Sequence, residues 1–346
     1  MDVTLREARK HFSRLGLMFV LGTLVIYAVQ FAALYLTEMW KPEWLGNANI
    51  SLALSVLPMY LVGMPILIFL VRTVPAETIE KRTMRWWQFL VAAVMSFGLA
   101  YAANFVGTFI TTVIGYWKGS AVENAILDIA TSISLLFVFL YMVICAPFME
   151  EYVFRKLIVD RTVKYGQGAA VVMSGLMFGL FHGNVNQFVY AFVLGCFFAF
   201  LYVKTGKLKI TIALHAIFNF FGGVVSTRLL ELVDYEGYLE IAGNGMDIAA
   251  LSEHMAEHMV GWLLFGMFGL FVLAMILASI ILFIVCTVTK KFTFEQGQVV
   301  IPKGKRFRTV ILNVGMVIYC ALWIVIILYV LFQNEILDIL TPVING

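Results

Sequence analysis

The sequence predicts an all-α fold: a polytopic transmembrane helical bundle of about eight to nine spans with its N-terminus in the cytoplasm. Three observations carry that expectation. Of the 346 residues, 62% are hydrophobic and only 13% charged, whereas a soluble domain is about half apolar and a quarter charged. That much apolar surface needs lipid as a second solvent, which excludes a soluble enzyme, a disordered tail and a disulfide scaffold. Nine stretches approach the roughly 20 apolar residues that cross a bilayer at about 1.5 Å per residue. Finally, all 24 Lys and Arg except Lys41, Lys118 and Arg228 fall on one side of the alternating spans. Basic residues accumulate in the cytoplasm, so the reading is N-in and C-out, in a cell membrane.

The nine stretches are 16–37, 51–72, 87–115, 129–149, 168–184, 187–203, 210–225, 259–287 and 309–332. The first follows Arg6, Arg9, Lys10 and Arg14. It is too long for a signal peptide and lacks a small-residue cleavage site, so it reads as an uncleaved anchor. Three spans make an N-terminal unit, 1–128. The fourth is expected to continue as helix to about Lys164, because nothing between Phe148 and Tyr165 breaks it. It opens a core, 129–225, whose next three spans are short and closely spaced. Residues 226–258 form an acidic connection (Glu231, Asp234, Glu236, Glu240, Asp247, Glu253, Glu257) that reads as a solvated cap on the outer face. The last two spans fill 259–346. The net charge of +3 implies no nucleic acid, and Cys145, Cys196, Cys286 and Cys320 sit in apolar runs without ligand spacing.

An ionisable side chain inside a span costs about 2.5–3.5 kcal/mol on insertion scales, and three segments of the core carry polar residues there. The first is Glu150-Glu151-Tyr152-Val153-Phe154-Arg155. Glu151 and Arg155 are one turn apart and can pair, while Glu150 points about 100° away. The second is Phe178 with His182, on a helix where Gly175, Gly179 and Gly183 form a small-residue face for close helix approach. The third is His215 with Asn219. Singly, each has an ordinary reading: charges reaching water, a hydrogen-bonded histidine, interhelical glue. Counted from the basic flanks, however, Glu150 and His182 lie about 20 Å deep and His215 and Asn219 about 9 and 15 Å deep. With usual tilts all four can meet in the inner half of the membrane.

A carboxylate, two imidazoles and an amide in a dehydrated cavity suit acyl hydrolysis. The glutamate can take a proton from water, and His or Asn can stabilise the oxyanion. There is no GxSxG and no cysteine beside these motifs, which favours direct attack by water. A proton-coupled carrier is the main rival, although it would be expected to show repeats and broken helices. A non-catalytic immunity or scaffold protein is another.

The three motifs together resemble the intramembrane CAAX-type endopeptidases and their bacterial relatives, the CPBP (CAAX protease and bacteriocin-processing, or Abi) family. Its pattern is EExxxR, then FxxxH, then HxxxN, each in a separate span. The stretch Phe192 to Leu208, with Gly195 and the turn Lys204-Thr205-Gly206-Lys207, is also similar, and the resemblance covers about residues 130–225. It implies Glu150 as the base that activates water, His182 as its assistant, Glu151 with Arg155 as the geometry-holding pair, and His215 with Asn219 as the oxyanion pair. The implied substrate is a peptide or protein with a hydrophobic or lipidated segment, met among membrane lipids. The surrounding sequence looks like the bacterial branch. Because the family was long described as metallopeptidases, zinc on His182, His215 and a glutamate is the alternative to a metal-free reaction. Asn219 as partner of His215 and the absence of HExxH favour the metal-free one.

Overall fold

A computed structural model describes residues 3–122, 131–243, 245 and 247–336. All regular structure among them is helical. Among the described residues, eight helices are long and apolar enough to cross a membrane: α1 (Val3–Trp40), α2 (Ala48–Arg72), α3 (Trp86–Lys118), α4 (Leu135–Tyr165), α6 (Val185–Thr205), α7 (Leu208–Leu232), α10 (Met259–Val288) and α11 (Val314–Leu331). Between them lie α5 (Gln167–Phe181), α8 (Tyr235–Gly243) and α9 (Ile248–Glu257). Each of the nine apolar stretches is thus a helix, and α4 runs on to Tyr165. The start expected for it at 129, and the boundary there between the N-terminal unit and the core, fall outside the described residues. At 15 residues α5 rises only about 22 Å, short of the roughly 30 Å hydrocarbon layer, and it is sheathed by its neighbours.

The basic connections gather at one end of the bundle. The Arg82 amide donates to Thr205 O (2.8 Å), the Glu77 amide to Asp160 O (2.6 Å), the Gln167 amide to Glu295 O (3.1 Å) and the Val299 amide to Lys164 O (2.9 Å). The segments 73–85, 160–167, 204–207 and 289–313 are thereby stitched into one layer, as the charge asymmetry requires.

Gly175 and Gly179 serve close approach. A Cβ on Gly175 would strike Cys196 Sγ, Cys196 N and Phe192 O of α6, and one on Gly179 would press on Phe188 O and Phe192. Gly195 answers from α6 against the Gly175 backbone. The third glycine of that expected face does something else. Gly183 sits in the α5–α6 turn at φ 69°, a left-handed conformation that glycine adopts without strain. A backbone turn at this depth has little water to bond with, so its polar groups need internal partners. Asn184 supplies them: its Nδ2 donates to His182 O (3.0 Å) and its Oδ1 accepts from the Gln187 amide (2.8 Å).

The acidic connection is largely helical among the described residues, with its acidic side chains exposed. α7 continues to Leu232, and α8 and α9 fold back over its end, burying His254.

The closeness of α5 and α6 predicts that Gly175→Val lowers stability by about 1–3 kcal/mol through overpacking, whereas Val172→Ile at an exposed position of the same helix leaves it nearly unchanged. Thermal melting of the two variants in detergent checks this.

Candidate active site

The site grows from an irregularity in α4. Its winding widens from α to π over Phe139–Cys145 and again over Glu151–Val159, with Ala146–Glu150 as an α-helical interlude. Pro147 lies in that interlude. In the wider register the Ala146 amide bonds to Tyr141 O, five residues back. The next bond would run from residue 147 to Met142 O, but proline has no N–H to give. Met142 O is left over, and Asn219 of α7 satisfies it through Nδ2 at 2.7 Å. α7 widens too, over Phe220–Val225, directly after Asn219. Such wide turns often occur at functional sites, and these two face each other.

One turn on, Glu151 and Arg155 are both fully buried, with the Arg155 guanidinium 3.0 Å from Glu151 Oε1. The guanidinium lies over the Phe178 ring (4.2 Å to its centre) and near Phe198 (5.7 Å). Several of its N–H groups have no protein acceptor, so the ring faces take that part. Glu151 Oε1 also accepts from His215 Nδ1 at 3.0 Å. The pair that the i, i+4 spacing suggested therefore does more than pair. It holds α5 through Phe178 and α7 through His215.

Glu150 points into a cavity of about 230 Å³ lined by Met59, Tyr60 and Met64 of α2, Tyr141 and Met142 of α4, Phe178 and His182, Gln187 and Tyr190 of α6, and His215, Phe218 and Asn219 of α7. His215 Nε2 is 3.8 Å from Glu150 Oε2, so this ring stands between two carboxylates. His182 lies just past the end of α5, its Nδ1 2.8 Å from Phe178 O. A carbonyl only accepts, so Nδ1 carries the proton and Nε2 keeps its lone pair. The structure thus brings Glu150, His182, His215 and Asn219 to one cavity and sets Glu151 and Arg155 behind it. A larger cavity, about 510 Å³, opens at the basic end near Tyr165, Phe294 and Arg306, but it has no comparable acid–imidazole set.

Several lining residues were not foreseen. Tyr60 and Met59 come from α2, and only tertiary packing brings them here. Tyr190 had a sequence signal: Asn184 followed three residues later by Gln187 is a helix-start pattern, and Tyr190 is one turn further along that face. The chain of bonds runs Asn184 Nδ2 to Gln187 Oε1 (2.7 Å) and Gln187 Nε2 to Tyr190 OH (3.0 Å).

The donor set does not suit zinc as placed. Zinc with His and carboxylate ligands needs ligand atoms about 3.3 Å apart, given bonds of roughly 2.0–2.2 Å. Those of Glu150, His182 and His215 do not all come within 4.8 Å of one another, and His215 Nδ1 is already engaged by Glu151.

Comparison with known proteins agrees with this architecture. Residues 132–221 match the family model described as type II CAAX prenyl endopeptidase Rce1-like, so this stretch of the chain is similar to that family. The chain is 26% identical over 186 residues to YdiL of Bacillus subtilis (strain 168), a protein named as a membrane peptidase. That alignment covers 53% of this chain and 73% of YdiL. It is 31% identical over 147 residues to the membrane-embedded CAAX protease MroQ of Staphylococcus aureus (strain USA300), covering 40% of this chain and 58% of MroQ. No solved structure matches it. With eight apolar helices, these relatives mark a multi-pass bacterial membrane protein and support a membrane protease.

The bond from Asn219 predicts a coupling with Pro147. Asn219→Ala strands the Met142 carbonyl and costs about 1–3 kcal/mol. In a Pro147→Ala background, where the helix can supply its own N–H, the same substitution costs clearly less. A double-mutant cycle on thermal stability measures the difference.

Proposed function

We propose that this chain is an intramembrane endopeptidase in which Glu150 activates a water molecule to hydrolyse a peptide bond of a membrane-associated, hydrophobic or lipidated substrate. The observation that carries the reading is the placement of the Glu150 carboxylate in a cavity between membrane-spanning helices, faced by His215 at 3.8 Å and sharing its walls with His182.

In the proposed reaction a water held between Glu150 and His182 attacks the scissile carbonyl carbon. Glu150 takes one proton, and the lone pair of His182 Nε2 accepts a hydrogen bond from the other hydrogen. As the carbonyl π bond opens, charge builds on its oxygen. In the proposed reaction the second amide hydrogen of Asn219, beyond the one given to Met142 O, receives it together with His215 Nε2–H, a donor that requires the doubly protonated ring between the Glu150 and Glu151 carboxylates. Collapse of the tetrahedral intermediate breaks the C–N bond, and the proton held by Glu150 passes to the leaving amine. Glu151 holds His215 Nδ1–H and so aims Nε2 at the cavity. A volume near 230 Å³ is below the roughly 300–1,000 Å³ of small-molecule sites and favours a narrow, extended peptide segment. The mechanism uses no metal, in keeping with the spacing of the donors. The basic end is assigned to the cytoplasm on the charge asymmetry.

Cleavage of hydrophobic and lipidated peptides in nanodiscs tests this. Glu150→Gln is expected to reduce the rate by at least about 10²-fold and His182→Ala by about 10²–10⁴-fold, both without loss of the folded bundle. Activity that collapses with a chelator and returns with zinc would overturn the metal-free reaction, measured with Asp234→Asn and His258→Gln to remove the separate group of metal-ligating side chains beyond the end of α7. No cleavage by the folded wild type would remove the peptidase reading itself.

The buried pair makes a further prediction. Arg155→Leu leaves Glu151 as an uncompensated buried carboxylate, a loss of about 3–5 kcal/mol. Combining it with Glu151→Leu restores much of the stability but not the activity, because His215 loses its anchor. Melting curves and cleavage rates of the three variants check both halves.

A further inference from the structure

A second cluster of chemistry-bearing side chains lies far from the cavity, where α7 ends and α8 and α9 fold back. Among the described residues, Asp234, His254 and His258 are the group of metal-ligating side chains whose ligand atoms all lie within 4.8 Å of one another. His254 and His258 are one turn apart at the end of α9, their ring centres 4.7 Å apart. His258 Nε2 stands 3.9 Å from Asp234 Oδ2.

Two of the three ligands are held from behind. His254 is buried, and its Nε2 lies 3.1 Å from Val233 O. That carbonyl can only accept, so Nε2 carries the proton and Nδ1 keeps the lone pair a cation needs. A backbone carbonyl on the far nitrogen is the usual support of a metal-bound imidazole. Asp234 Oδ1 accepts weakly from the Gly237 amide (3.4 Å), leaving Oδ2 for the histidines. Asp234 itself sits at φ 46°, a left-handed conformation uncommon away from glycine. Gly237 must be bare there, because a Cβ would run into the Asp234 carboxylate and approach His254 Cε1 to 3.3 Å.

We infer that Asp234, His254 and His258 form a binding site for a divalent transition-metal ion, zinc foremost, that clasps the end of α7 to the junction of α9 and α10. Two imidazoles and one carboxylate suit zinc, with a fourth position open to water. Ligand atoms about 3.3 Å apart would be needed, so separations of 3.9 Å and of at most 4.8 Å close by side-chain movements of about 1.5 Å or less. Binding ties residue 234 to residues 254 and 258 and shuts the loop between them. It also fixes the start of α10 where Gly261 presses on Leu232 O.

The test is zinc content of the purified full chain after dialysis against buffered micromolar zinc, together with thermal melting with and without the ion. One zinc per chain and a raised melting temperature are expected for the wild type and for His182→Ala. Asp234→Asn and His258→Gln, both at accessible side chains, should weaken binding at least about tenfold and lose the melting shift while folding normally without metal. Substituted cobalt should show the visible absorption of a tetrahedral site in the wild type and in His182→Ala, but not in Asp234→Asn or His258→Gln. Zinc uptake unchanged in Asp234→Asn and His258→Gln, uptake lost only in His182→Ala, or no uptake by the wild type would each overturn the site. The last two outcomes leave the peptidase reading to its own assay.

Discussion

A carboxylate and a guanidinium, both sealed from solvent one turn apart on α4, organise the centre of this molecule. In a low-dielectric interior neither Glu151 nor Arg155 is tolerable alone, so whatever surrounds them must satisfy both. Arg155 draws the Phe178 and Phe198 rings onto its faces, which brings α5 and α6 against α4. Glu151 takes the His215 imidazole, which brings α7. Four helices meet because two charges cannot be left unmatched. The catalytic candidates occupy the margin of that arrangement: Glu150 is the next residue on α4, His182 is one turn beyond Phe178, and Asn219 is one turn beyond His215.

The irregular winding of α4 plays a complementary part. A regular helix exposes no spare backbone acceptor in its middle, so a neighbour can touch it only through side chains. The wider register, met by a proline at residue 147, frees the Met142 carbonyl, and Asn219 uses it as a fixed docking point. Proline here does not break the span; it creates a polar address inside an apolar helix, read by one amide on the facing helix. Asn219 therefore works on the backbone whatever it also does in the reaction.

How much of this could be read beforehand varies by element, for physical reasons. The spans and the gathering of basic connections at one end follow from transfer free energies and charge, which act residue by residue. Glu151 with Arg155, Phe178 with His182 and His215 with Asn219 follow from the 3.6-residue turn. The depth argument then put Glu150, His182, His215 and Asn219 at one level. What stayed hidden is non-local. The π register of α4 depends on which carbonyl lacks a donor once helices pack, and the Tyr60 and Met59 wall depends on how α2 leans. Gly183 kept the four-residue spacing of Gly175 and Gly179 but lies beyond the helix end, in the turn. The run 226–258 showed its acidity in the sequence, but not the helices α8 and α9 or the meeting of His254 with His258. Asp234 joins those histidines only through the fold of α8.

The cavity wall has a consequence for relatedness. Met59, Tyr60 and Met64 close one side of the chamber around Glu150, yet they lie on a helix outside the 132–221 match. The proposed reacting groups thus lie within that match, and part of the wall that would face a substrate lies outside it. On the proposed function, a change in the flanking helix would alter the cargo admitted while leaving the proposed reacting groups as they are. Proteins that share the reacting core can for the same reason diverge in what they cut. A chimaera carrying a relative's α2 would be the natural carrier of a new selectivity.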